Sequence, residues 1–481
     1  MSDSFVVGTA DFVPQMPPMR RVKFVHLIGI GGAGMCGIAE VLKHQGFIVS
    51  GSDLVSSSVT DRLKRLGINV QIGHRASQVC DADVVVVSTA ISEDNVEVVE
   101  AHRQRIPVVS RAEMLGELMR NRYGIAVAGS HGKTTATSLI ASIFQVARLD
   151  PTYVIGGLLK SERSNARLGQ SRYFVAEADE SDASFLYLNP MAAVVTNIDR
   201  DHLGTYSHKF ENLLDAFKEF VQRLPIDGLV VACIDDQGIR SIIDDLGRPI
   251  LTYGLAAEAD YRAENITHKG PTCSFRVQRP NGLGSLDVEI QLPGVENVRN
   301  VLAAIAIASD EGIADDLIVR GLRDFGGIDR RFEIHAVEID GCRSTLIDDY
   351  GHHPTEVLHV IETVRDIYPN RRLVMVYQPH RYTRTRDLLH EFVEVLVMVD
   401  SLVLVDTYAA SEDPIPGAHG SDLAREVEST GKVPIAFAST AADATKIVRG
   451  LIEQDDVLAI QGAGNIDLVS EEFKETTACL Q

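Results

Sequence analysis

The sequence predicts an α/β protein of three domains, on three observations. Apolar runs of strand length alternate with helical patterns along most of the chain, which implies parallel sheets with right-handed crossovers. Two glycine-rich turns, one at 29–34 and one at 129–132, each join an apolar strand to a helical pattern. At 481 residues the chain is too long for one core. The expected division is a loose tail over 1–21, a Rossmann-like domain over 22–122, a central P-loop-type domain with a mixed sheet over 123–328, and a C-terminal Rossmann-like α/β domain over 329–481.

In the first domain VKFVHLIGI reads as a strand and Gly29-Ile30-Gly31-Gly32-Ala33-Gly34 fits G-x-G-x-x-G. A helix runs through AEVLKHQ, and the strand FIVSGSD ends on Asp53. Gly31, Gly32, Ala33, Gly34 and Asp53 are thus candidates for a diphosphate ligand, for which NAD(P) and a UDP-linked compound demand the same physics. A plain βα turn with Asp53 as a helix cap accounts for the same residues without a ligand. DADVVVVSTAI and IPVVSR continue as strands, VEVVEAHRQR and AEMLGELMR as helices.

The central domain opens on GIAVAGSHGKTTAT. The strand Ile125–Ala128 breaks into Gly129-Ser130-His131-Gly132, and Lys133-Thr134-Thr135 starts a helix. Free N–H groups of a first helical turn, the helix dipole and a lysine make an anion site, and Thr134 offers a hydroxyl to Mg²⁺. The strict phosphate-loop pattern has a glycine where this chain has Val127. An ordinary strand–turn–helix corner with Lys133 in solvent is the alternative, and on either reading Lys133 lies in an exposed loop where Ala costs little stability. The next strand delivers Glu177, Asp179, Glu180 and Asp182 at its C-terminal end, where ligands of parallel sheets gather. A carboxylate there beside a triphosphate holds Mg²⁺ most simply; a solvated acidic loop explains some of the four. AAVVTNI ends in Asp199-Arg200-Asp201-His202, and His202 at that strand end is a candidate to ligate a second Mg²⁺ or to orient a phosphate, a structural histidine being the alternative. Strand-rich sequence over 228–293 completes the sheet, and a helix follows from Gly294, where Asn297 either caps it or reads a base, capping being the expectation.

In the third domain Arg330-Arg331-Phe332 precedes a strand in TLIDDYGHHPTE. RLVMVYQPH runs into His380-Arg381-Tyr382-Thr383-Arg384-Thr385-Arg386, SLVLVDTY is another strand, and GAGN at 462–465 reads as a plain βα corner. Guanidinium groups bind carboxylate through paired hydrogen bonds, so Arg381 and Arg384 are candidates for a carboxylate anchor that share a face if the segment is helical. Tyr350, His352 and His380 would narrow the site. Arg386 is expected to pair with an acidic loop.

Composition limits the partners. With 46 Lys+Arg against 67 Asp+Glu the net charge is −21, which disfavours nucleic acid and requires local positive sites for anionic substrates. No long apolar window predicts membrane insertion, and the first residues carry no signal-peptide pattern. Six scattered cysteines without C-x-x-C read as reduced thiols of a cytoplasmic protein.

Together the motifs resemble the Mur ligase family, ATP-dependent amide-bond-forming enzymes of peptidoglycan synthesis. GIGGAGM at 29–35, GSHGKTT at 129–135, EADESDASF at 177–185, TNI-x-x-DH at 196–202, N-x-x-N at 297–300, RRF at 330–332, DDYGHHPTE at 348–356 and QPHRYTRT at 378–385 occur in that family's order. EADESDASF and DDYGHHPTE are most like the members that attach L-alanine to UDP-N-acetylmuramate. The resemblance implies an acyl-phosphate mechanism, Mg²⁺, and a cytoplasmic role in cell-wall biogenesis, cell shape and division. It implies that Lys133 meets the transferred phosphate, that Glu177 and His202 hold Mg²⁺, and that Asn297, Asn300, Arg331 and Asp349 contact nucleotide. Ser130 stands where the family usually has Thr, Glu296 where many relatives have His, and Gly204 where they have Asp; Lys218 does not fall on the place of the carbamylated lysine of some relatives. His202 and His352 both remain candidates to take the amine's proton, and a closure of the third domain over the second is expected to exclude water. An NAD-dependent oxidoreductase leaves the phosphate loop unexplained, and a non-catalytic ATP switch leaves the third-domain His/Arg cluster unexplained. Within the family, a ligase that attaches a whole tripeptide is the runner-up.

Overall fold

The computed structural model describes residues 19–160, 164–410 and 412–478. Most of the expected tail, and Cys479, lie outside them. Three sheets form. The first is all parallel, with strands β1 (Phe24–Ile28), β2 (Ile48–Asp53), β3 (Asn69–Ile72), β4 (Val84–Val87) and β5 (Val108–Ser110) in the order β3-β2-β1-β4-β5. Its order reverses between β1 and β4, which opens a crevice at the strands' C-terminal ends, where the Gly29–Gly34 turn lies. Val25, Leu27 and Ile28 are fully buried, as expected of a strand covered on both faces.

The second sheet has ten strands: β6 (Tyr123–Ala128), β7 (Thr152–Leu159), β8 (Ser164–Arg167), β9 (Tyr173–Glu177), β10 (Ala192–Val195), β11 (Leu229–Cys233), β12 (Ile250–Gly254), β13 (Tyr261–Lys269), β14 (Thr272–Gln278) and β15 (Leu286–Ile290). Their order is β15-β14-β13-β12-β11-β10-β6-β9-β7-β8. β6 lies between β9 and β10, parallel to both, so the phosphate-loop strand is flanked by the two strands that end in acids. The helix Lys133–Val146 is buried along most of its length. It packs so closely on the helix Asp315–Arg323 that a Cβ on Gly321 would lie 2.7 Å from the Ile143 Cα.

The third sheet contains β16 (Glu333–Ile339), β17 (Cys342–Asp349), β18 (Leu373–Tyr377), β19 (Ser401–Val405), β20 (Ile435–Ala438) and β21 (Val457–Gln461), in the order β16-β17-β21-β18-β19-β20. Apolar clusters cover both of its faces. The strand directly after Arg330-Arg331-Phe332 is β16, not the TLIDD strand read from the sequence. β16 pairs antiparallel with β17 through Asp340-Gly341, both at positive φ (48° and 86°), the two-residue turn whose twist suits a hairpin. By backbone contacts the described chain divides into two compact units. One holds the residues up to 266 with 274–289 and 297–326, the other 267–273, 290–296 and those from 327 onward.

Candidate active site

In the first unit the phosphate loop is built on glycines that admit no side chain. Gly129 (φ 135°) has the Thr196 Oγ1 only 2.0 Å from where a Cβ would stand. Gly132 (φ 81°) has the Asn300 Oδ1 at 2.5 Å from that point. The end of β10 braces the loop from the other side. The Ser130 N–H donates to the Asn197 carbonyl (3.1 Å) and the His131 N–H to the Asn197 Oδ1 (2.8 Å). Thr196 Oγ1 donates to the His131 carbonyl (2.6 Å), and the Asp199 N–H donates to the Ser130 hydroxyl (2.9 Å). The His131 ring meets Asp199 at 3.0 Å. Ser130 therefore sits on a loop whose shape is held by side chains that follow a neighbouring strand, and Thr134 and Thr135 lie in the first turn of the helix it opens.

Lys133 begins the helix rather than lying in an exposed loop, and this corrects the expectation drawn from sequence. Its ammonium donates to the Gly129 and Ser130 carbonyls (2.5 and 3.2 Å) and to the Glu180 carboxylate (2.6 Å), with 16% of its side chain exposed against 2% for Glu180. The reason is positional: β9 lies beside β6, so its acidic extension folds over the loop. Burial pulls the ammonium down, but Glu180, Asp179 and Glu177 together outweigh it and hold it above its ordinary value. Burial pushes the Glu180 carboxyl up to about 7, against the pull of Lys133 and helped by the Asp179 charge. Burial also pushes on Asp179, yet Lys133, Arg111 and the Ser181 contacts bring it down to about 2. Asp182 accepts from the Ser184 N–H (3.0 Å), so this acid serves the turn.

Glu177, the last residue of β9, accepts the Gly156 N–H (2.6 Å). His202 starts a short 3₁₀ turn at φ 55°, with its ring 3.3 Å from Asp201. Asn297 does not cap its helix: the helix begins at Val295, so Asn297 lies in the first turn, one turn from Asn300, their side chains 3.5 Å apart. Asn300 is 6% exposed and packs under Gly132.

At the first-domain turn Asp53 is engaged with the backbone. Its Oδ2 accepts the Gly31 N–H (2.9 Å) and its Oδ1 the Val55 N–H (3.3 Å). Sequence reasoning missed Arg111. It begins the helix Arg111–Met119 after a capping box of Ser110 and Glu113, crosses Gly34 and pairs with Asp179 at 3.1 Å. The SRAE stretch carried the signal, since S-x-x-E places the residue after the serine at a helix start.

In the second unit Tyr350, His352 and His380 come together at the C-terminal ends of β17 and β18. Ring centroids are 5.8 Å apart for Tyr350–His352 and 5.4 Å for His352–His380. Tyr408, after β19, extends the row; its ring lies nearly parallel to His380 at 5.6 Å. It packs directly over the GAGN corner, where a Cβ on Gly464 would stand 2.7 Å from the Tyr408 Cβ. Arg381 is exposed and precedes the helix Tyr382–Asp387, whereas Arg384 is buried (6% exposed) and donates to the His380 carbonyl (3.2 Å). The segment is helical, but the two arginines face different surroundings. Arg386 pairs with Asp387 (2.7 Å), the next residue of its own helix, rather than with the acidic loop expected from the sequence. Asp349 is buried and accepts from the Phe332 N–H (2.9 Å), the Gly351 N–H (2.7 Å) and Gln461 Nε2 (3.0 Å). It thereby fastens the linker that carries Arg331, whose guanidinium lies 5.4 Å from the Tyr350 ring centre.

Three family models match the chain in order: the Mur ligase family catalytic domain over residues 24–123, the Mur ligase middle domain over 127–308, and the Mur ligase glutamate ligase domain over 330–464. Among solved structures, UDP-N-acetylmuramate–alanine ligase MurC from Thermotoga maritima is similar at 28% identity and TM-score 0.81, over 95% of this chain and 99% of that one. Murein peptide ligase from Psychrobacter arcticus shares the fold at 22% identity and TM-score 0.71, over 95% and 98%. The UDP-N-acetylmuramate:L-alanyl-γ-D-glutamyl-meso-diaminopimelate ligase from Neisseria meningitides is 29% identical with TM-score 0.59, over 64% of this chain and 100% of that one. With its three sheets, its braced phosphate loop and all three family domains in order, the chain belongs to the Mur ligase family, ATP-dependent ligases of peptidoglycan precursors.

Proposed function

We propose that the chain joins L-alanine to UDP-N-acetylmuramate at the expense of ATP. The observation that carries the ligase chemistry is Lys133 at a helix N-terminus, in a glycine turn flanked by two strands ending in acids. The resemblance to the alanine-adding ligase over nearly the whole chain supports the choice of amino acid. A row of aromatic and imidazole rings in the third domain suits a small side chain. In this reading Gly129, Ser130, His131, Gly132, Thr134 and Thr135 cradle the triphosphate. Asn297 and Asn300 support the nucleotide site, and Asp349 serves it by holding the Arg331 linker.

The substrate carboxylate oxygen bonds to the γ-phosphorus as the β–γ bridge breaks, giving an acyl phosphate and ADP. The amine nitrogen then attacks the acyl carbon, the carbon–oxygen bond to phosphate breaks, and inorganic phosphate leaves. Both steps gather negative charge on a chain of net charge −21. Lys133 and the N–H groups of the first helical turn supply fixed positive charge at the transferred phosphoryl group. The amine must reach the acyl carbon deprotonated, and His202 and His352 are the imidazoles proposed to take its proton. Arg381 anchors the amino acid's carboxylate, with Tyr350, His352, His380 and Arg384 forming its surroundings. Gly31, Gly32, Ala33, Gly34 and Asp53 receive the UDP portion. The donors of Thr134 and Glu177 are oxygens, which suit a hard cation, and with His202 they would hold Mg²⁺, whose contribution is charge neutralisation at the phosphates.

A ligase attaching a tripeptide to the same nucleotide sugar is the second reading, favoured by the 29% identity to the Neisseria meningitides enzyme. Phosphate release from ATP with UDP-N-acetylmuramate, scanned over single amino acids and tripeptides, separates the two. Release with L-alanine and not with tripeptide supports the proposal; the reverse pattern replaces it.

A further inference from the structure

The first-domain glycine turn carries no cation of its own, and its Gly31 N–H is already taken by Asp53. A diphosphate placed there would face the Asp53 carboxylate with only the helix N-terminus at Ala33 to offset it. Arg111 supplies the missing charge. A Cβ on Gly34 would stand 2.5 Å from the Arg111 Nη1 and 2.9 Å from its Cδ, so the Arg111 side chain packs against the last glycine of the turn. Its other terminal nitrogen, Nη2, reaches Asp179 at 3.1 Å, and Asp179 adjoins Glu180, the partner of Lys133. A quarter of the Arg111 side chain is exposed. The helix behind it is tightly seated: a Cβ on Gly116 would meet the Tyr187 carbonyl oxygen at 2.7 Å.

We propose that Arg111 is a substrate-binding residue shared between the two ligand sites: one edge of its guanidinium takes the diphosphate of the sugar nucleotide and the other is held by Asp179 of the acidic loop. This rests on the reading of the first domain as the UDP-substrate site. A planar fork with separate donors does this where a lysine's point charge cannot. Asp179 then competes with the diphosphate for Arg111 and sets how strongly the turn binds anions.

The test is calorimetric titration of the full chain, without ATP, with UDP-N-acetylmuramate and with UDP, which carries the diphosphate without the sugar acid. Arg111→Gln keeps the stem over Gly34 and should weaken both ligands by ~10- to 100-fold, the range of a charge-assisted hydrogen bond, while the ATP KM changes less than about threefold. Arg111→Lys should fall between, and serves in its place if the Gln variant fails to melt cooperatively. Asp179→Asn should tighten both ligands several-fold when Arg111 is present and by less than about twofold in the Arg111→Gln background, a coupling read from the double-mutant cycle. Binding by Arg111→Gln within twofold of wild type, or equal changes from Asp179→Asn in both backgrounds, overturns the proposal. Equal rises in the sugar-nucleotide and ATP KM values also overturn it. If wild type binds UDP but not UDP-N-acetylmuramate, the substrate reading fails and Arg111 is judged on UDP alone.

Discussion

Replacing Lys133 with Ala removes the donor proposed to meet the transferred phosphate and also strands a buried acid. The first effect should cost ~10²-fold or more in turnover. The second depends on pH, and the sign follows from Glu180. Burial raises its carboxyl from 4.5 to about 7 even with Lys133 at 2.6 Å. A raised value means the folded chain holds that proton more tightly than the unfolded chain. The resulting stability is complete below 4.5 and is lost as pH climbs to about 7, where Lys133 halts the loss. Without Lys133 the folded value rises further, and the loss continues at ~1.4 kcal/mol per additional pH unit. The gap between wild type and Lys133→Ala should thus be about 1 kcal/mol near pH 5.5, a lost hydrogen bond, and approach 3 kcal/mol near pH 8.5, the cost of an unpaired buried charge. Denaturant unfolding at the two pH values reads the gap, and turnover reads the chemistry. Lys133→Ala/Glu180→Gln should recover stability at high pH and stay inactive. A gap that does not change with pH refutes the ion-pair reasoning, and near-normal turnover of the folded single variant refutes the phosphate-loop assignment.

Glu177→Gln and His202→Ala should each raise the Mg²⁺ concentration for half-maximal activity and leave UDP-N-acetylmuramate binding unchanged; identical Mg²⁺ titrations would remove both from the metal site. Arg381→Ala should raise the amino-acid KM about tenfold or more, as loss of a charged hydrogen bond requires, with little change in the ATP KM; equal rises in both would end its assignment as carboxylate anchor. Arg384→Ala should in addition lower the melting temperature, because Arg384 is buried and bonded to the His380 carbonyl; an unchanged melt would contradict that placement. Titration of the full chain should show binding of UDP-N-acetylmuramate and none of NADH; tight NADH binding alone would revive the oxidoreductase.

The fold was legible because buried parallel strands announce themselves as apolar runs, and both glycine turns sit where strand meets helix. β16 escaped notice because EIHAVEI, an edge strand, is interrupted by Glu333, His335 and Glu338 and lacks the apolar run that marked its neighbours. The Asn297 cap was misplaced by one turn, since the helix already starts at Val295, directly after Gly294 at positive φ (92°). The sequence showed that acids gather beside the phosphate loop, but not which one meets Lys133. Four acids within six residues look alike in one dimension, and only the register of β9 against β6 turns Glu180 inward while Asp182 serves a turn. Arg111 and Tyr408 belong to the same class: each acts across a glycine, Gly34 or Gly464, that is remote from it in the chain.

In the proposed reaction a carboxylate of the nucleotide sugar is activated by phosphoryl transfer before L-alanine attacks. UDP-N-acetylmuramate labelled with ¹⁸O in its carboxylate, turned over with ATP and L-alanine, tests it most directly. Each inorganic phosphate released should carry one labelled oxygen, passed from the carboxylate through the acyl phosphate. Phosphate released without label, or amide product formed without phosphate, would contradict it.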